Sequence, residues 1–273
     1  MSGPAVLSST LLSLRSPLTR QALDTLRTAL ASNDAPSRHP VSDVNGINAS
    51  TGKQGQAAVL LPLCNVNNIP GIILEVRAKS LRSHSGEISF PGGRIDDEDA
   101  TFLDGALRET QEELGVPREN VEIIGKLWPA ELNLRGNMRV WPYVGFVHPE
   151  HRENALSLRP DEPLPSVNLA SLRKDRSQDE VAAVFQLPLS ELVSPKRLLP
   201  HKFRDKAQYW AIDVTDLVHE ADPESVPLEA ASAESLPDEV GNGRGERILV
   251  WGLTGWYLSL FRDRLDTLAM SDR

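Results

Sequence analysis

Four charged side chains lie within the six residues Arg108–Glu113: Arg108, Glu109, Glu112 and Glu113. On a helix of 3.6 residues per turn the three glutamates fall inside an arc of about 100°. Glu109–Glu112 and Glu109–Glu113 are then like-charge neighbours, each costing about a few tenths of a kcal/mol. They also sit in the last turns of the helix, where the macrodipole disfavours a negative charge by roughly 0.3–1 kcal/mol. A helix selected only for stability would carry lysines there. A divalent cation removes the conflict. Three oxygen donors on one face suit Mg²⁺ or Mn²⁺, hard ions that keep several waters and bridge to phosphate. The same residues also read as a solvated acidic face in which Arg108 pairs with Glu112 at i,i+4.

The element that must carry these groups is a helix over Ala100–Leu114. Leu103, Ala106, Leu107, Thr110 and Leu114 recur on one side at the spacing of a core-facing stripe. Asp99 or Asp97 can cap its start, and Gly115 and Pro117 stop its end. Ahead of it lie a Gly92–Gly93 turn and a basic stretch with Arg77, Lys79, Arg82 and, just beyond the glycines, Arg94. Arginine suits bidentate contact with phosphate. Such a stretch can equally balance the charge of the carboxylate helix.

Taken together, the glycine, a spaced acid and Arg108-Glu109-x-x-Glu112-Glu113-x-Gly115 resemble the signature of the Nudix hydrolases. The spaced acid is Asp99, or Glu98 on another alignment, and its distance to Arg108 is one residue longer than is usual in that family. The run Arg77-Ala78, Arg82, Gly86 and Phe90-Pro91-Gly92-Gly93 is similar to the motif of the coenzyme A pyrophosphatases within the same family. Glu75 stands where that motif has threonine. The later segments Gly125–Val147 and Asp179–Leu189 are also similar to that group.

The resemblance implies an α/β fold, a Nudix-type α/β/α sandwich with a mixed sheet. It implies Mg²⁺ or Mn²⁺ held by Glu109, Glu112, Glu113 and a backbone carbonyl at Gly93. Arg108 would orient a carboxylate, and Arg77, Arg82 and Arg94 would hold substrate phosphates. Glu112 is the first candidate to take the proton of the attacking water, and Glu180 the second. The expected reaction is hydrolysis of the pyrophosphate bond of coenzyme A or its derivatives to 3′,5′-ADP and (acyl-)4′-phosphopantetheine. Two alternatives stand beside it. One is a Nudix hydrolase of another nucleoside diphosphate derivative, such as an oxidised or sugar nucleotide. The other is a catalytically silent binding module.

The rest of the chain bounds the setting. A hydrophobic content of 40% and a charged content of 25% are ordinary for a globular domain. The net charge of −9 argues against nucleic acid as a partner, because duplex binding needs a basic surface. No apolar run approaches a membrane span. The single cysteine, Cys64, lies in an apolar run and reads as a reduced core residue. An intracellular protein is expected. Residues 1–32 are poor in acids and carry Arg15, Arg20 and Arg27, which fits a mitochondrial targeting segment. The plainer reading is an amphipathic helix over Pro17–Ala31. The C-terminal Ser271-Asp272-Arg273 is not a peroxisomal signal.

A helix and flexible linker are expected over residues 1–56, followed by the hydrolase domain over 57–273. Strands are expected at Ala57–Cys64, Gly71–Val76, Ile88–Phe90, Val121–Leu127, Arg139–Val147, Glu180–Phe185, Gln208–Val214 and Arg247–Val250, with a terminal helix over Trp251–Leu268. Two inserts interrupt the pattern, near 149–178 and 216–247. The second carries nine acids against two arginines and reads as a solvated loop or partner-binding segment.

Overall fold

The apolar run that begins at Ala57 forms β1 (Gly55–Val66), a central strand of an eight-stranded mixed sheet. The computed structural model describes residues 13–31, 55–81, 84–203, 207–221 and 247–270. β1 turns through Asn67 and Asn68, with φ of 51° and 63°, into the antiparallel β2 (Ile69–Arg77). Two left-handed central residues are what a tight twisted hairpin requires, and asparagine tolerates that backbone. β2 pairs with β3 (Ile88–Ser89) and β8 (Val181–Pro188). The start of β1 pairs with β4 (Gly92–Arg94).

The other edge of β1 takes β7 (Met138–Val147) in parallel. β7 in turn pairs with β5 (Val121–Lys126) and β6 (Glu131–Leu132). A parallel pair needs a crossover, and the crossover here carries the helix α2 (Phe102–Leu114). Phe102 stacks on Trp141 of β7 at 4.7 Å between centroids, seating the start of that helix on the sheet.

Side chains alternate across a strand, and the two faces of the sheet bury different layers. Ala58, Leu60 and Cys64 of β1 and Ile73 of β2 share a core with Ala106, Leu107 and Leu114 of α2. Leu61, Leu63, Ile72 and Leu74 point to the opposite face. There they meet α1 (Arg20–Ala31) and α5 (Gly252–Met270) through Leu23, Leu26, Leu30, Tyr257 and Phe261. This is the α/β/α arrangement. A smaller sheet of β9 (Leu198–Phe203), β10 (Ala207–Asp213) and β11 (Leu249–Val250) packs beside α5, where Phe203 stacks on Trp256.

Three regions differ from the expected pattern. The helix expected over Pro17–Ala31 begins at Arg20, and it packs on β5 and α5. The 149–178 insert contains a 3₁₀ turn (Arg152–Ser157) and a helix α3 (Leu169–Asp175), and it buries Leu164. Its prolines and charges hide any period. The fully buried Asn65 ties this insert to the N-terminal segment: its side chain accepts the Leu18 N–H at 2.8 Å and donates to the carbonyls of Leu18 and Leu164 at 3.0 and 2.9 Å. The acidic 216–247 insert opens as part of a helix, α4 (Thr215–Ala221), with Val218 in the core, and its residues 222–246 lie outside the described residues. Among the described residues no helix is long and apolar enough to cross a membrane.

Candidate active site

The helix bearing the glutamates is capped by Thr101, whose side chain accepts the Asp104 N–H at 3.1 Å. Neither Asp97 nor Asp99 fills that place, because Asp99 is committed elsewhere. It is nearly buried and receives a two-pronged contact from Arg108, Nε to Oδ1 at 3.0 Å and Nη2 to Oδ2 at 3.0 Å. It also accepts the Asp96 N–H at 2.9 Å. The Arg108 hydrogen bonds hold the Asp99 carboxyl below the ordinary carboxylate range, and push the guanidinium of Arg108 above its own. The longer loop before Arg108 therefore still delivers an acid to it. At the other end Gly115 takes φ 67° and closes the helix on the Gln111 carbonyl at 2.9 Å.

Anchored from behind, Arg108 reaches forward to the glutamates. Its Nη1 donates to Glu109 at 3.1 Å and to Glu112 at 3.0 Å, and its Nη2 to the Arg94 carbonyl at 3.1 Å. A fork of fixed donors suits this task in a way that a lysine would not. Glu112 is the exposed member of the set, with 55% of its side chain accessible. Glu109 lies against Gly93 so closely that a Cβ there would come within 2.5 Å of its carboxylate. At Gly92 the backbone takes φ 144°, and a Cβ would meet the Ala58 carbonyl at 2.4 Å. Gly92 thus demands glycine, whereas a Cβ at Gly93 would push aside the carboxylate of Glu109.

The third glutamate is buried. Glu113 accepts the Gly92 N–H at 2.7 Å, and its other oxygen lies 3.5 Å from Nη1 of Arg77. The same nitrogen lies 3.7 Å from Glu75, which has no solvent exposure and accepts a hydrogen bond from the Ser89 hydroxyl at 3.0 Å. Burial raises the carboxyls of Glu75, Glu109 and Glu113 above the ordinary range, and the charge of Glu75 raises Glu113 further. Glu180, exposed at the entry to β8, is near enough for its charge to act on Glu75 and Glu109. Its carbonyl accepts the Ala78 N–H at 2.8 Å.

The fold therefore brings together Arg108, Glu109, Glu112, Glu113, Gly93 and Arg77, with Glu180 within electrostatic reach. Arg94 contributes its carbonyl, while its side chain is exposed. Arg82 lies outside the described residues. Among the described residues the acids do not close into a ready-made metal cluster, and Arg108 bonds both Glu109 and Glu112. The donor chemistry nevertheless fits a hard divalent ion. Glu109, Glu112 and Glu113 offer carboxylate oxygens from one helix, burial has already made two of them poor anions, and the buried Glu75 Oε2 has no hydrogen-bond partner. Glu75 was not among the residues picked out for the site from the sequence. Its signal was there: a carboxylate in the otherwise apolar run Ile72-Ile73-Leu74-Glu75-Val76.

Comparison with known proteins agrees with this geometry. Residues 54–208 match the model of the NUDIX domain. A Citrobacter koseri protein described as an uncharacterized Nudix hydrolase, NudL, is 38% identical over 167 residues, which is 60% of this chain and 74% of that protein. A Klebsiella pneumoniae protein of the same description is 38% identical over 178 residues, 64% of this chain and 74% of the relative. A crystal structure of a MutT/nudix family protein from Enterococcus faecalis aligns at 19% identity and a TM-score of 0.34, over 63% of this chain and 54% of that one, a likeness too distant to argue from. The domain match spans more than half of the chain and contains the glycine turn, the arginine and the glutamates that the fold gathers, so this chain belongs to the Nudix hydrolase family.

Proposed function

We propose that the protein hydrolyses the pyrophosphate bond of coenzyme A or an acyl derivative, releasing 3′,5′-ADP and (acyl-)4′-phosphopantetheine. As a Nudix hydrolase the chain is a pyrophosphohydrolase of nucleoside diphosphate derivatives; coenzyme A is the particular substrate inferred. The observation that carries it is the course of the described residues 77–81 and 84–93. This stretch leaves β2 at Arg77, closes on itself through Gly86 N–H to the Arg77 carbonyl at 3.0 Å, and returns as Gly92–Gly93 against Glu109 and Glu113. Arg77 and Gly92–Gly93, which belong to the coenzyme A motif, thus line the same wall as Glu109 and Glu113, which would hold the metal.

Glu109, Glu112, Glu113 and the Gly93 carbonyl would hold Mg²⁺ or Mn²⁺. When bound, the ion supplies neutralisation of the phosphate oxygens and makes water more acidic. The protein supplies orientation and proton handling. Asp99 fixes Arg108, and Arg108 fixes Glu109 and Glu112. Glu112 is the exposed carboxylate on this face and takes the proton of the attacking water, with Glu180 the second candidate. Arg82 and Arg94 hold the phosphates. Arg77 already serves Glu75 and Glu113, so its phosphate contact would be shared with those carboxylates.

The test is a panel of coenzyme A, acyl-coenzyme A, ADP-ribose, a sugar nucleotide and an oxidised nucleoside triphosphate, each with Mg²⁺ or Mn²⁺, with products identified by mass spectrometry. Release of 3′,5′-ADP and 4′-phosphopantetheine at the highest kcat/KM is expected. Cleavage of another member with coenzyme A left intact would move the protein to that substrate. No cleavage of any would favour the silent binding module.

A further inference from the structure

We propose that Glu75 is a further carboxylate donor of the divalent-metal site, supplied by strand β2 and not by the helix that carries the other three. The inference rests on the reading of Glu109, Glu112 and Glu113 as the metal face. Ile73, Glu75 and Arg77 occupy alternate positions of β2 and therefore share one face of the strand. Ile73 packs in the α2 core, so this face looks toward the helix. One nitrogen of Arg77 lies 3.7 Å from Glu75 and 3.5 Å from Glu113, which brings the two carboxylates to the same end of one guanidinium. The Glu75 carboxyl is fully buried, and its two oxygens differ. Oε1 has the Ser89 hydroxyl and the longer contact to Arg77. Oε2 is buried with no hydrogen-bond partner among the described residues.

A buried carboxylate with an unmatched oxygen is costly, and a core position in a strand has no structural need for one. Packing would be served as well by the apolar residues on either side of it. The charge balance points the same way. Glu75, Glu109, Glu112 and Glu113 bring four carboxylates to this wall, against Arg77 and Arg108 as the cations they contact. A second-row donor that only braced Arg77 would present both oxygens to the guanidinium. Here Oε1 alone makes the Arg77 and Ser89 contacts, and Oε2 is left over.

The experiment is Mn²⁺ binding to the full chain, measured by titration calorimetry and by water-proton relaxation, with melting temperature recorded with and without Mn²⁺. Parent protein is compared with Glu75→Gln, Glu75→Asp and Glu109→Gln. Glu75→Gln is expected to fold, to melt no lower than the parent without metal, and to bind Mn²⁺ at least about tenfold more weakly or with one ion fewer. Glu75→Asp keeps the charge but draws it back by one methylene, and should fail in the same way if the oxygen contacts the ion. Parent-like Mn²⁺ binding by Glu75→Gln, alongside a loss in Glu109→Gln, would overturn the assignment to Glu75 and leave the helical metal face standing. Recovery of parent binding in Glu75→Asp would also overturn it, since a charge that only balances Arg77 tolerates the retraction. Absence of Mn²⁺ binding in the parent and in all variants would instead remove the metal face itself. If Glu75→Gln fails to fold, Glu75→Thr, shorter and suited to a strand, takes its place in the same comparison.

Discussion

At the scale of single residues, the site separates groups that act from groups that hold. Glu112 is exposed and, among the described residues, tethered by Arg108 alone, so its replacement tests chemistry and not folding. Glu112→Gln is expected to lower kcat at least about a hundredfold, with the metal-free melting temperature unchanged or raised, because like-charge repulsion is relieved. Turnover close to that of the parent would remove its role. The two glycines make a sharper pair. A Cβ at Gly93 meets the movable end of Glu109, whereas a Cβ at Gly92 meets backbone at Ala58. Gly93→Ala should therefore cost at most about 1 kcal/mol of stability while turnover falls at least about tenfold. Gly92→Ala should cost several-fold more stability, about 2–4 kcal/mol. Urea unfolding and steady-state rates on the two variants decide this. The glutamates, Arg108 and the glycines were legible because their spacing on one helix and one turn is local. Glu75 was not, because its meaning depends on β2 lying beneath that helix, which no local spacing records.

At the scale of elements, the longer strands and the three long helices could be read from their periods, while the short pieces could not. β4 and β6 are too brief to show an alternation, and β9 runs through Pro200, His201 and Lys202. The helix of the glutamates starts two residues later than its expected Ala100, because Asp99, which reads as a cap, is instead the anchor of Arg108. The docking of α1 was also hidden. It is fixed in part by Glu122 of β5, which bonds His148 at 2.9 Å and pairs with Arg27 of α1. These contacts, the His148 hydrogen bond first, hold the Glu122 carboxyl down to about 2 from its ordinary 4.5. The unfolded chain therefore takes up this proton before the folded one does. The stabilisation is fully present above about pH 4.5 and is lost as pH falls towards about 2. Its full size is on the order of 2–3 kcal/mol. Denaturant melts of parent and Glu122→Gln should show that gap near pH 6 and a clearly smaller one near pH 3. A gap that stays constant between the two would disprove the linkage.

At the scale of the whole molecule, the prediction is that the acidic insert can be removed without harm to the site. Val214 and Thr215 are hydrogen-bonded to Ile248, so the end of α4 lies roughly 10 Å from the point where the chain resumes. Replacing residues 222–246 with about six Gly/Ser residues spans that gap. The segment holds few large apolar residues. Melting temperature and turnover should change little, because shortening a loop alters closure entropy by only about 0.6 kcal/mol per halving. A cooperative loss of structure would mean that the insert belongs to the core. The parallel pairing of β1 with β7 carries a different consequence, one of time. Every metal-binding candidate has been synthesised by Glu113, yet one edge of β1 waits for Met138–Val147 to emerge. Contacts this remote in sequence form late, after local helices. On refolding from denaturant, the far-ultraviolet helix signal should return ahead of Mn²⁺ binding, which should recover only with the slowest phase. Affinity for the ion would then be a property of the closed chain, and a peptide of residues 101–115, with all three helical glutamates in place, would have almost none of it.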